Sequence, residues 1–147
     1  MGTSFVRIGE NGFWMRDNML ELWLCLLALH IEDPVEPGGV ATTIRDQWLL
    51  ASRGFFNGFV PDGLAEAVST DEGQILVRKA IQSLLKSLSK VPSYLRTDAF
   101  NLMGFTDGMF TEDIETRRLI EVGHAFLDLV DGKITGAMDT SFMPGSR

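Results

Sequence analysis

Residues 19–31, Met-Leu-Glu-Leu-Trp-Leu-Cys-Leu-Leu-Ala-Leu-His-Ile, form an apolar run with almost no polar face. Leu, Met, Ala, Glu and Trp dominate it, and neither Gly nor Pro interrupts the chain from Phe13 to Asp33, so the run reads as a helix. Asn18 with Glu21 fits a capping box, and Asp17 is a rival N-cap. Pro34 ends the helix, because its ring disfavours helical geometry in the residue before it. Only the stripe Asp17, Glu21, Cys25, Ala28 and Glu32 is polar or small, so the helix needs cover on two or more sides. A membrane span takes about 18 consecutive apolar residues. The longest stretch here is eight, Leu22 to Leu29. The run also starts too late, and without the basic leader, to be a signal peptide.

A core of this kind suits one domain in a chain of 147 residues, placed at residues 1–132, with 133–147 as a flexible tail. The tail holds Gly, Ser, Thr, Pro and Met without periodicity. A single cysteine, Cys25, makes no internal disulfide, which suits a reducing cytoplasm. Thirteen Lys and Arg against twenty Asp and Glu give a net charge of −7. That balance repels nucleic acid and anionic membrane surfaces, and favours association with a basic protein.

Further helices are expected from about Thr43 to Arg53, from a Ser69 and Glu72 capping box to about Lys90, over Ser93 to Met103, and from Thr111 to about Gly132. In the longest of these, Val77, Ile81, Leu84, Leu85 and Leu88 share one face, and Lys79, Gln82, Lys86 and Lys90 share the other. Ser4 to Ile8 reads as a short strand, cut off by Gly9, Asn11 and Gly12. The expectation is a mainly α fold: a compact bundle of four to five helices around the central apolar helix, with room for a short hairpin. Leu20, Trp23, Leu24, Leu27, Trp48, Leu84, Val122 and Phe126 are its expected core.

Between helices lies Gly54-Phe55-Phe56-Asn57-Gly58-Phe59-Val60-Pro61-Asp62-Gly63. Asn57-Gly58 between aromatic residues is a hairpin-turn signal, since both central positions of that turn take positive φ. The phenylalanines are either tucked into the core or presented to a partner, and the rarity of exposed aromatic patches favours tucking. If the loop is presented, Phe56 and Phe59 are the anchors, with Asp62, Glu66, Asp107 and Glu112 as charged surroundings.

Catalytic motifs are missing. The chain has no phosphate-binding Gly-x-x-x-x-Gly-Lys loop, no Gly-x-Gly-x-x-Gly, no Gly-x-Ser-x-Gly and no Cys-x-x-Cys. Glu121 and His124 stand three apart on one helical face, which is half of a carboxylate-bridged di-iron motif. Its second half is missing, and the pair belongs to the polar stripe Arg117, Glu121, His124, Asp128, Asp131. No metal and no cofactor is therefore expected. The leading expectation is a small acidic cytoplasmic protein-binding module, in its most concrete form an immunity protein that neutralises a bacterial toxin. Its rivals are a hydrolase built on spatially assembled carboxylates and a self-associating structural subunit.

Overall fold

The first strand pair forms because residues 4–8 and 11–16 alternate. Ser4 and Val6, with Met15 and Phe13 across from them, turn into the core, while Phe5 and Trp14 turn outward. Gly9 takes φ +62° in the two-residue connection between Ile8 and Asn11. In a computed structural model, which describes residues 2–32, 37–53, 59–103 and 110–146, these segments are β1 (Thr3–Ile8) and β2 (Asn11–Arg16). They pair antiparallel in the register Thr3↔Arg16 to Ile8↔Asn11.

The central helix α1 (Asp17–Ala28) follows β2 without a loop. Its N-cap is Arg16, with no side-chain capping bond; Asn18 Oδ1 instead accepts from the Met19 N–H at 2.8 Å. The chain then adds α2 (Val40–Ala51), the single turn α3 (Leu64–Ala67) and the long α4 (Asp71–Leu88). It ends with β3 (Tyr94–Leu95), α5 (Thr97–Leu102), β4 (Ile114–Glu115) and α6 (Thr116–Val130). Among the described residues helix accounts for 52% and strand for 13%, in six helices and two small antiparallel sheets. The fold is therefore mixed α and β, which corrects the mainly α, all-helical expectation. None of these helices is long and apolar enough to cross a membrane.

Helix α1 packs on α2, α4 and β2, so it is covered on more than two sides. All eight expected core residues are buried, with Trp23, Leu24 and Phe126 wholly so. Phe126 meets Trp23 at 5.6 Å and Phe13 of the hairpin at 5.7 Å between ring centroids. Gly123 lets α6 approach this core closely. A Cβ there would lie 2.5 Å from Leu85 Cδ2 and 3.0 Å from Trp23 Cη2.

Most helix bounds differ from the sequence reading: α1 stops at Ala28, well before Pro34, α2 starts at Val40 rather than near Thr43, and α5 starts at Thr97 rather than Ser93. Thr70, not Ser69, caps α4, its Oγ1 accepting from the Gly73 N–H at 3.1 Å. Helix α6 starts at Thr116 rather than after Thr111, because Ile114 and Glu115 are committed to pairing with Tyr94 and Leu95. Asp113 serves α5 instead, accepting from the Thr97 N–H at 2.8 Å and from its hydroxyl at 3.0 Å.

Residues 133–146 run back along the hairpin. Gly12 donates to the Gly136 carbonyl at 3.1 Å and accepts from the Met138 N–H at 2.9 Å, and Arg118 Nε donates to the Gly145 carbonyl at 2.7 Å. The outer edge of β2 is thereby occupied at Gly12, and the outer edge of β1 faces the opposite way.

Candidate functional site

Beside β1 the surface opens into a cleft of about 920 Å³, within the range of small-ligand and peptide sites. Three elements wall it. The hairpin contributes Phe5, Arg7 and Trp14, the first and last with rings 5.2 Å apart. Helix α2 contributes Val40, Thr43, Ile44, Gln47 and Trp48, and the segment from Phe59 through α3 closes the third side. Ile44 and Trp48 of α2 and Leu64 of α3 are buried and belong to the core as well, so both walls are continuous with it.

The third wall is held by a small polar network. The Ser4 hydroxyl, itself buried, donates to Asp17 Oδ1 at 2.6 Å and accepts from the Val60 N–H at 2.7 Å. Gln47 Nε2 donates to the Pro61 carbonyl at 2.8 Å, which ties the same segment to α2. Gly63, at φ +64°, then turns the chain into α3. A Cβ at this position would lie 2.9 Å from Gln47 Cγ, so the left-handed conformation and the close approach both call for glycine.

Asp62 sits at this turn. Its Oδ1 accepts from the Leu64 N–H at 2.9 Å, an arrangement open to a short polar side chain two residues before the acceptor's partner. Burial is the largest influence on its carboxyl and pushes it up to about 6 from the usual carboxylate range, with the Glu66 charge acting the same way. The Leu64 N–H and the Arg7 guanidinium act in the opposite direction and offset only part of that. Near neutral pH the cleft thus carries an anion that is costly to keep there, next to the exposed Glu66.

Of the six residues singled out from sequence, Phe59, Asp62 and Glu66 come together in this cleft. Phe59 is 62% exposed, which corrects the tucked reading for that ring. Glu112 is exposed and is not among the cleft-lining residues. Phe56 and Asp107, and the hairpin expected at Asn57-Gly58, lie outside the described residues. Sequence reasoning missed Ser4, Phe5, Arg7, Trp14 and Gln47. The signal for the first four was the alternation on both sides of Gly9.

Other reactive groups lie outside the cleft. Among the described residues no group of three or more His, Cys, Asp and Glu is placed to hold a metal ion. His124 and Glu121 line a shallow groove on α6 with Arg117, Asp128 and Phe142. His30 Nδ1 lies 2.8 Å from Ser83 Oγ, and burial lowers its pKa. Burial raises that of the Cys25 thiol, which keeps it protonated. Comparison with protein-family models, with curated proteins and with solved structures finds no match to this chain.

Proposed function

We propose that this chain is a protein-binding module whose cleft between the β1–β2 hairpin, α2 and α3 receives a basic segment of a partner. The observation that carries the reading is the meeting of Phe5, Trp14 and Phe59 with Asp62 and Glu66 in one concave site. Aromatic rings supply contact area at low entropic cost, and the acids select a cationic ligand. A cation arriving beside Asp62 adds to the Leu64 N–H and the Arg7 guanidinium, which offset only part of the cost of its buried charge. The net charge of −7 favours basic partners by faster encounter and disfavours nucleic acid and anionic lipid. The cytoplasm is the proposed setting, and neutralisation of a basic bacterial toxin is the most concrete form of the proposed activity.

Calorimetric titration with a capped peptide that carries phenylalanine between lysines tests this reading, with a glutamate-for-lysine peptide as control. Binding of the basic peptide alone, weakened about tenfold or more by the double variant Asp62→Asn, Glu66→Gln, supports it. Equal binding of both peptides, or no effect of the variant, rejects it. Co-expression with toxin domains encoded beside the gene tests the immunity form, which fails if growth is never rescued.

One observation favours a second reading. A carboxyl at about 6 inside a cleft with a second acid is suited to proton transfer, as a hydrolase on assembled carboxylates requires. Hydrolysis of a peptide or ester panel, lost in Asp62→Asn and Glu66→Gln, would favour it over binding alone.

A further inference from the structure

The outer edge of β1, unused among the described residues, runs along the cleft, and its hydrogen-bonding parity is fixed by bonds elsewhere. In an antiparallel pair, residues alternate between those that bond across the pair and those whose N–H and C=O both point outward. Gly12 spends both its backbone groups outward, on Gly136 and Met138, so it and its partner Arg7 form a pair without mutual bonds. The bond from the Asp17 N–H to the Gly2 carbonyl, at 3.0 Å, marks the continuation of the bonded set at the other end of the register. Counting by twos from Arg7, the residues of β1 with outward backbone groups are Arg7, Phe5 and Thr3. All three line the cleft.

Those groups receive no backbone bond from any described residue. The nearest wall approaches β1 differently: Val60 gives its N–H to the Ser4 side chain and not to the strand's backbone. An unpaired strand edge in a concave, aromatic-lined site is a template for one more strand.

We propose that the partner segment binds in extended form as a third strand on the free edge of β1, bonded to the backbone of Thr3, Phe5 and Arg7. This rests on the cleft reading above and specifies how the cleft holds its ligand. The edge from Thr3 to Arg7 is about 13 Å long at the usual rise per residue, so a segment of about five residues fills it. Main-chain bonds supply affinity without regard to side chain. Selection then falls to alternate positions, where apolar residues meet Phe5 and Trp14 and cationic ones answer Asp62 and Glu66. Charge favours a basic segment over a second copy of this chain, because two copies bring −7 against −7.

The test uses the full chain, labelled with ¹⁵N, and a capped heptapeptide alternating lysine and valine. At free peptide about ten times its Kd, amide exchange at Thr3, Phe5 and Arg7 should slow about tenfold, while Ser4, Val6 and Ile8, already bonded within the hairpin, should not change. N-methylation of one alternate set of peptide residues should weaken binding about tenfold, and of the other set hardly at all. Binding without this period-two protection overturns the strand proposal and leaves the cleft reading standing. No binding of the peptide overturns both. Protection that grows with protein concentration in the absence of peptide makes a second copy the occupant, and also overturns the proposal.

Discussion

Replacing Asp62 by Asn separates the cost of its charge from the shape of the turn. The amide is nearly isosteric, and its Oδ1 can keep the bond from the Leu64 N–H, while burial of a charge and its repulsion from Glu66 disappear. The folded protein holds the Asp62 proton more tightly than the unfolded chain does, at about 6 against the roughly 3.9 of a free aspartate. A group raised in this way contributes stability that is complete below pH ~4 and is lost as pH rises through about 6. At about 1.4 kcal/mol per tenfold change in proton affinity, the loss is bounded near 3 kcal/mol. Lost attraction to Arg7 and partial hydration of the carboxylate reduce what the substitution recovers, so Asp62→Asn should be about 1–2 kcal/mol more stable than the parent at pH 7. At pH 4 the two should be equal. Urea unfolding of both proteins from pH 4 to pH 7, read as the difference between them, cancels the other titrating groups. A variant no more stable than the parent at pH 7, or a difference that does not grow between pH 5 and pH 7, would refute the reasoning.

The remaining predictions concern the frame around the cleft. Leu24→Ala, at a fully buried site, should cost about 2–5 kcal/mol in urea unfolding through lost transfer energy and a cavity, and a cost below about 0.5 would mean that α1 is oriented differently. Ser4→Ala leaves the buried Val60 N–H without its acceptor and should cost about 1–3 kcal/mol by the same measurement; a neutral result would show that the 59–63 wall is not held through Ser4. Gly123→Ala forces a methyl against Leu85 and Trp23 and should lower stability by about 1–3 kcal/mol, whereas a gain would mean that α4 and α6 separate freely.

What the sequence disclosed follows from how locally each signal is encoded. The apolar run of α1 and the amphipathic face of α4 repeat every turn, so both helices and most of their buried residues were legible without any partner element, although Glu21 and Ala28 of the expected polar or small stripe are buried and Leu29 is exposed. The hairpin was legible only in its first half, where Ser4 to Ile8 read as a short strand; the second strand joins α1 directly, and Phe13 to Arg16 read as the lead-in to a helix when no Gly or Pro separates them from it. Strand character there comes from pairing with β1, which is a contact between segments and leaves only a short alternation in each. The same holds for Ile114 and Glu115, whose pairing with Tyr94 and Leu95 shortens α6. In the candidate site, Phe59, Asp62 and Glu66 were visible as an unusual loop and an acidic helix turn. Their neighbours Phe5, Arg7 and Trp14 come from more than 40 residues away in the chain, and only the packing of the hairpin beside α3 brings them together.

The central claim, that the cleft beside β1 is where a basic segment binds, is tested most directly by amide chemical-shift mapping. The ¹⁵N-labelled chain is titrated with a lysine-rich peptide carrying one phenylalanine. The account predicts that the largest shifts fall on Thr3, Phe5, Arg7, Trp14, Thr43, Gln47 and residues 59–66, with Glu121, His124 and Asp128 of α6 unmoved. Shifts concentrated on the α6 groove, or spread evenly over the acidic surface, would contradict it.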